Sequence, residues 1–179
     1  MPTATETETE TEITTTAPTV DRPAMPREYG MPDDADGLIA WDAVETRLRE
    51  ANVYWIATSG PGGRPRVRPV DGIWIDGALW VGGSPETRWV RDLLANPQVS
   101  VHLDDGWDVA ILEGTAVLVQ DGVEDKLAVR LAAESNRKYP QYGMKPADYQ
   151  RGPGPFAIRP SVGFAWKAFP RDLTRFRFG

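Results

Sequence analysis

Between Val53 and Val119 the chain is cut into short β-rich runs by strong turn signals, and this spacing dictates the class of fold. Val53-Tyr54-Trp55-Ile56-Ala57-Thr58 is rich in β-branched and aromatic residues and is short. Ser59-Gly60-Pro61-Gly62-Gly63 predicts a turn. Arg66 to Ile75 reads as extended. Asp76-Gly77 then gives the strongest two-residue hairpin signal, and the chain returns through Ala78 to Gly83. Pro69 lacks an N–H and Gly72 lacks a side chain, which predicts a bulged or edge segment. Ser84-Pro85-Glu86 predicts a helix start, with Ser as N-cap, Pro at the first helical position and an acid in the first turn. Val90, Leu93 and Leu94 form the buried face, and Asn96-Pro97 ends the helix. Gln98–Leu103 is a strand with Val99, Val101 and Leu103 alternating. Asp104-Asp105-Gly106 turns, and Asp108–Val119 is a long strand with a kink expected at Gly114.

The flanks add helices and closing strands. Trp41, Val44, Leu48 and Ala51 recur at spacings of three and four, which predicts a helix over Trp41–Ala51 that stops at Asn52. Asp121-Gly122-Val123-Glu124 is like a capping box. Val123, Leu127 and Leu131 then predict a helix to about Lys138. Tyr139 to Pro155 is rich in Pro, Gly and Tyr and carries no periodicity that assigns it. Phe156–Arg159, Ser161–Phe169 and Leu173–Phe178 predict three strands. There is no internal repeat. Few helices and many short turns predict a mainly β, α+β domain: one barrel of six to eight strands with peripheral helices.

A length of 179 residues suits one domain with a real core. We place that domain at residues 38–179. Residues 1–37 open on a Thr-Glu alternation and thread through Pro18, Pro23, Pro26 and Pro32. Their apolar content is too low to offset ordering entropy, which predicts a disordered acidic tail. They hold nine acids and two bases, a charge of -7, whereas the remainder holds 17 acids and 18 bases, a charge of +1. The body is therefore near neutral, and nothing in it is a nucleic-acid stripe. With no cysteine, disulfides, thiolate metal sites and cysteine nucleophiles are excluded. The single histidine, His102, excludes a multi-histidine metal site, and no metal is expected. No apolar run reaches the ~18 residues of a membrane span. The acidic, polar N-terminus lacks a signal-peptide pattern. A cytoplasmic, soluble protein is the expectation.

The segments Gly63-Arg64-Pro65-Arg66-Val67-Arg68-Pro69-Val70, Asp76-Gly77-Ala78-Leu79-Trp80-Val81 and Thr87-Arg88-Trp89-Val90-Arg91-Asp92-Leu93-Leu94-Ala95-Asn96-Pro97-Gln98-Val99-Ser100-Val101 form an ordered set. With Val109–Ala116 and the ending Ala165-Trp166…Thr174-Arg175-Phe176-Arg177-Phe178, this set resembles the pyridoxamine-5'-phosphate-oxidase-like split β-barrel superfamily. It is most similar to the branch of flavin- and deazaflavin-dependent oxidoreductases. The resemblance covers roughly Leu38 to the C-terminus. It implies a split barrel with Greek-key connections and a homodimer whose sites are completed between subunits. It implies F-420 as cofactor, with FMN as the alternative, and hydride transfer to a small unsaturated or quinone-like substrate. A non-catalytic flavin-, F-420- or haem-binding protein is a further alternative.

In the family an arginine on the second strand and a Ser-Arg-Lys-like triplet at the helix start contact the cofactor phosphate. Arg68 matches the first, and Thr87 and Arg88 match the Ser and Arg. Trp89 stands where the lysine is usual, which removes one cation. The glutamine that flavin-using oxidases carry is not apparent. Both departures point away from a true pyridoxamine phosphate oxidase. The implied cofactor contacts are Arg68, Val70, Gly82, Gly83, Thr87, Arg88, Trp89, Trp166 and Arg175, and no catalytic residue is assigned.

The residues themselves leave alternatives open. Arg68 and Arg88 supply planar guanidinium forks for a phosphate, and they read equally as surface arginines near acids. The resemblance favours the phosphate role. Arg66 is expected to face solvent, on the other face from Arg68. Gly82-Gly83 admits close approach of a ring or phosphate, or is a plain turn. Trp89 stacks on a cofactor, covers a dimer seam or packs in the core. His102, on the opposite face from Val99 and Val101, is read as solvent-facing or structurally hydrogen-bonded. Tyr139, Tyr142 and Tyr149 line a substrate mouth or anchor their loop. Trp166 and Arg175 reach a neighbouring subunit's cofactor, or serve as barrel packing and a surface ion pair.

Overall fold

Alternate side chains of Tyr54–Ser59 are buried, and this strand sits between two others in an antiparallel sheet. The computed structural model describes residues 17–179. Along them run β1 (Thr19–Asp21), α1 (Trp41–Glu50), β2 (Tyr54–Ser59), β3 (Pro65–Val70), β4 (Ile73–Ile75), β5 (Ala78–Val81), α2 (Arg88–Ala95), β6 (Gln98–His102), β7 (Val109–Leu118), α3 (Asp125–Lys138), α4 (Pro146–Tyr149), β8 (Phe156–Trp166) and β9 (Thr174–Arg177). The strand order is β1-β9-β8-β7-β6-β2-β3, and the β4–β5 hairpin joins β8 through β5. β7 fills one edge of β8, so β5 and β9 follow one another along the other.

The sheet curls into a split barrel of the α+β class. It is not closed, because β3 and β4 are consecutive in the chain yet unpaired. The split falls at Asp71-Gly72, inside the run predicted as one extended segment. β3 is an edge strand, as Pro69 requires. The Asp76-Gly77 hairpin has positive φ at both residues, 53° and 67°, as a type I′ turn needs. The kink at Gly114 is a register shift between Glu113 and Gly114. A Cβ on Gly114 would lie 2.0 Å from Arg159 O, so only glycine fits. This irregularity lets Phe156–Trp166 run as one eleven-residue strand through Pro160, where two strands were predicted.

Both faces of the β4–β5 hairpin are covered. Leu79, Val81 and Trp74 point into the barrel with Tyr54, Ile56, Val101, Leu112 and Phe176, and α1 and α2 add Val44, Leu48, Val90 and Leu93. Ile73, Ala78 and Trp80 pack on the outside against Leu131, Ala132 and Tyr149 of α3 and α4. Each fully buried Leu, Ile or Phe contributes about 1.5–3 kcal/mol.

Three expectations are corrected. The helix after Gly83 starts at Arg88, with Thr87 rather than Ser84 at its N-cap. Ser84 instead closes a turn: the Thr87 N–H donates to Ser84 O at 3.0 Å, and the Glu86 N–H to Ser84 Oγ at 3.2 Å. The strands among the described residues number nine, not six to eight, because the long run divides into β3 and β4 and because β1 exists. The disordered tail over 1–37 does not hold for its second half; residues 1–16 lie outside the described residues. β1 pairs with β9, and Pro18 and Pro23 are buried. Arg22 donates to Asp34 O at 2.6 Å and to Arg171 O at 3.0 Å. The Ile39 N–H donates to Thr174 Oγ1 at 2.9 Å. Low apolar content missed this because the edge of β9 offers backbone groups, which pair regardless of side chain.

Candidate functional site

A cavity of about 400 Å³ opens where the two packed clusters meet. Three stretches wall it: Val70–Ile73 at the split, Gly82–Gly83 with Trp89 at the start of α2, and the segment from Ser135 to Pro155. From Tyr139 onward, the last is the stretch that sequence could not assign. It holds a 3-10 turn at Pro140–Tyr142 and the short α4. Its Tyr139, Tyr142, Met144 and Tyr149 all line the cavity. The volume falls in the range of small-molecule sites.

The Gly72 wall is fixed by hydrogen bonds from α3. The Gly72 N–H donates to Tyr139 Oη at 3.0 Å. Lys138 Nζ donates to Gly72 O at 2.9 Å and to Tyr54 Oη at 3.0 Å, and lies 4.9 Å from the Tyr54 ring centre. The Tyr54 hydroxyl in turn donates to Leu48 O. Burial pulls Lys138 down from 10.5 to about 8, and it pushes the phenols of Tyr54, Tyr139 and Tyr149 up. Gly72 has no room for a side chain, since a Cβ would meet Leu79 Cδ1 at 2.8 Å. At the mouth the Tyr142 hydroxyl donates to the Asp71 carboxylate, which holds the phenol above its usual range.

The two glycines differ. A Cβ on Gly83 would lie 2.2 Å from the Trp89 ring, so the close approach there is made by Trp89 itself. Gly82 faces open space. Trp89 is 7% exposed and packs on Phe156, with its edge at the cavity. It is a core residue.

Comparison with known families bears on this arrangement. The family described as Pyridoxamine 5'-phosphate oxidase matches residues 40–157. The chain belongs to this family. No curated protein matches. Among solved structures, a conserved hypothetical protein from Mycobacterium tuberculosis is 21% identical, with a TM-score of 0.58 over 75% of this chain and 89% of that one. An F420 reductase is 21% identical, with a TM-score of 0.50 over 66% and 94%. HutZ, the haem storage protein from Vibrio cholerae, is 18% identical, with a TM-score of 0.50 over 79% and 91%. A FAD-binding protein from Mesorhizobium loti is 20% identical, with a TM-score of 0.54 over 79% and 96%. These likenesses show the fold.

Within this pyridoxamine 5'-phosphate oxidase family member, the predicted contacts fall into three groups. Val70, Gly82, Gly83 and Trp89 meet at the cavity. Arg68, Thr87 and Arg88 adjoin it along the chain. Arg68 lies two residues before Val70 on the same strand face, about 7 Å away. Its Nε is buried and has no hydrogen-bond partner among the described residues. Arg88 is exposed at the first position of α2. Thr87 Oγ1 donates to Ser84 O at 2.7 Å and keeps its lone pairs free to accept. Trp166 and Arg175 stand apart. Trp166 closes the end of β8 opposite the cavity and packs on Phe169. Arg175 is paired with Asp21 of β1 at 2.7 Å, which holds that carboxyl below its usual range.

Arg66 is not the outward residue expected. Residues two apart on a strand share a face, so Arg66 and Arg68 both face the side of Ile56 and Thr58. Arg66 is bound to the buried carboxylate of Asp92 at 2.7 Å. His102 lies outside the cavity, stacked on Trp55 with rings 3° from parallel, and its Nδ1 lies 2.8 Å from Leu103 O. Sequence reasoning missed Asp71, Gly72 and Lys138. Asp71 follows directly on the arginine-bearing strand, and this was the available signal.

Proposed function

We propose that this protein is an oxidoreductase that binds F-420 and transfers hydride to a small unsaturated or quinone-like molecule, with FMN as the competing cofactor. The buried, unpartnered Nε of Arg68 carries the reading. A guanidinium donor withdrawn from water costs free energy unless something accepts from it, and a phosphate is a suitable acceptor. Arg88, Thr87 and the N–H groups that begin α2 stand on the helix whose Asp92 binds Arg66, the neighbour of Arg68 on the same face of β3, and they suit one anion. The residues present therefore fit the phosphate end of such a cofactor. When bound, a deazaflavin supplies the hydride, and the protein supplies position and polarity. Gly82 leaves open space for a flat ring beside Trp89. Tyr139 and Tyr149, both buried, give the cavity an apolar wall.

The choice of F-420 over FMN follows the resemblance and the Trp89 departure. Separate titrations of the purified protein with F-420, FMN and haem test it. F-420 is expected to bind tightest, and tighter FMN binding hands the case to the flavin reading. Arg88→Ala should weaken the bound cofactor about ten- to a hundred-fold, the loss of one charge-assisted contact. We also propose a homodimer. The outer sheet face carries Trp55, Ile111 and Phe164 half-buried and Val67 54% exposed. An interface there should bury more than ~1,000 Å². Light scattering that reports only monomer at micromolar concentration sinks this part.

A further inference from the structure

We propose that the outer half of the cavity, from Asp71 to Tyr149, binds a flat aromatic molecule that is neutral or positively charged, with Asp71 selecting its charge. The proposal rests on the reading above in one respect: the cofactor's anionic end belongs on the Arg68 side, which leaves the Asp71 side for the substrate.

The lining decides the chemistry. Among the described residues it contains five aromatic side chains, Trp80, Trp89, Tyr139, Tyr142 and Tyr149, and one charged residue, Asp71. No arginine or lysine lines it. Lys138 lies behind the wall, with its ammonium turned onto Gly72 O and Tyr54 Oη. Arg137 is held by Glu134 at 2.7 Å and by Glu50 at 3.2 Å. Around this wall two cations therefore meet three carboxylates, and the surplus charge is the one at the mouth. The neighbouring Lys145 and Asp148 add no net charge.

Aromatic faces attract cations through their quadrupole. A carboxylate at the rim of a low-dielectric pocket adds to that attraction and repels anions. Of Asp71, only Oδ2 accepts from Tyr142. A ligand N–H can use Oδ1 directly, or displace the Tyr142 hydroxyl, which is half-exposed and returns to water at little cost. Asp71 and Tyr142 thus set charge preference, and the buried tyrosines set flatness.

The test uses two dyes of nearly the same tricyclic outline, thionine, a cation, and resorufin, an anion in mildly alkaline buffer. Each is titrated against the full-length protein without cofactor. Thionine is expected to bind at least about tenfold more tightly. Asp71→Asn should remove most of that preference by weakening thionine, and Tyr142→Phe, which frees the carboxylate, should keep or increase it. Resorufin binding as tightly as thionine overturns the proposal. So does a preference that survives Asp71→Asn, or binding of neither dye. F-420 titrated against Arg88→Ala reports separately on the cofactor reading. Failure of the dye arm with the Arg88 effect intact removes only this site, and the converse removes only the cofactor.

Discussion

Arg66 and Arg68 share a strand face and have opposite energetics. Arg66 neutralises Asp92, whose side chain is 6% exposed. Arg66→Ala strands that carboxylate and should cost about 1–3 kcal/mol in urea denaturation. Arg68 has a buried donor already unsatisfied, so Arg68→Met removes a cost and should leave stability unchanged or slightly raised. The same change should weaken the cofactor, as expected where a site is kept at the expense of stability. Equal stability losses for the two variants would show that Arg68 is structural. The glycine pair divides likewise. Gly83→Ala drives a methyl into the Trp89 ring and should cost about 1–3 kcal/mol, whereas Gly82→Ala meets nothing and should cost less than about 1 kcal/mol. Differential scanning calorimetry of the two variants checks this. Sequence could name all four residues, because arginine forks and glycine pairs are visible chemistry. It could not say that Gly83 accommodates Trp89, since that contact is set by the helix angle.

At the scale of elements, what was legible is what alternation and turn chemistry encode. The β4–β5 hairpin follows from Asp76-Gly77, and the β7 kink from Gly114. Segment 139–155 was opaque because long-range partners hold it. Tyr139 Oη lies 2.8 Å from Asn52 O, and Tyr142 reaches Asp71, each across more than sixty residues. A further anchor to the barrel, just before this segment, is Lys138 at the end of α3, and it titrates. Its folded value of about 8 lies below the ordinary 10.5, so between these the unfolded chain holds more protons. Stability should therefore rise as pH climbs from about 8 towards 10.5. Below that window the burial of the charge is a constant penalty. Partial exposure of the side chain keeps the effect small. Lys138→Met should flatten the rise in a urea-midpoint profile against pH. A wild-type midpoint that falls across the window would show that the ammonium is stabilised there, not desolvated.

For the whole molecule, the split barrel was legible and the strand that extends its sheet at the N-terminal side was not. The sheet order ends on β1, a three-residue strand drawn from a segment whose composition reads as tail. Composition counts apolar side chains, whereas this strap is held by backbone pairing to β9, by the four carbonyls that Arg22 reaches and by Asp21 between Arg175 and Arg177. A chain beginning at Leu38 loses all of these and exposes the edge of β9. We expect a loss of about 1–3 kcal/mol, or roughly 2–10 °C in melting temperature for a domain of this size. The loss should also depend on pH. Asp21 has a lowered folded value, so its share is present above the usual carboxylate range and fades as pH falls through it. Full-length and truncated chains should therefore differ most in melting temperature near neutrality, and the gap should narrow in acid by the share that Asp21 carries. Identical melting at neutral pH would mean that the strap lies on the barrel without stabilising it. A bare β9 edge is also a template for another strand, so the truncated chain should associate more at high concentration. Sedimentation of both chains over a concentration series separates that edge-driven association from a dimer made through the Trp55 face, which both chains would share.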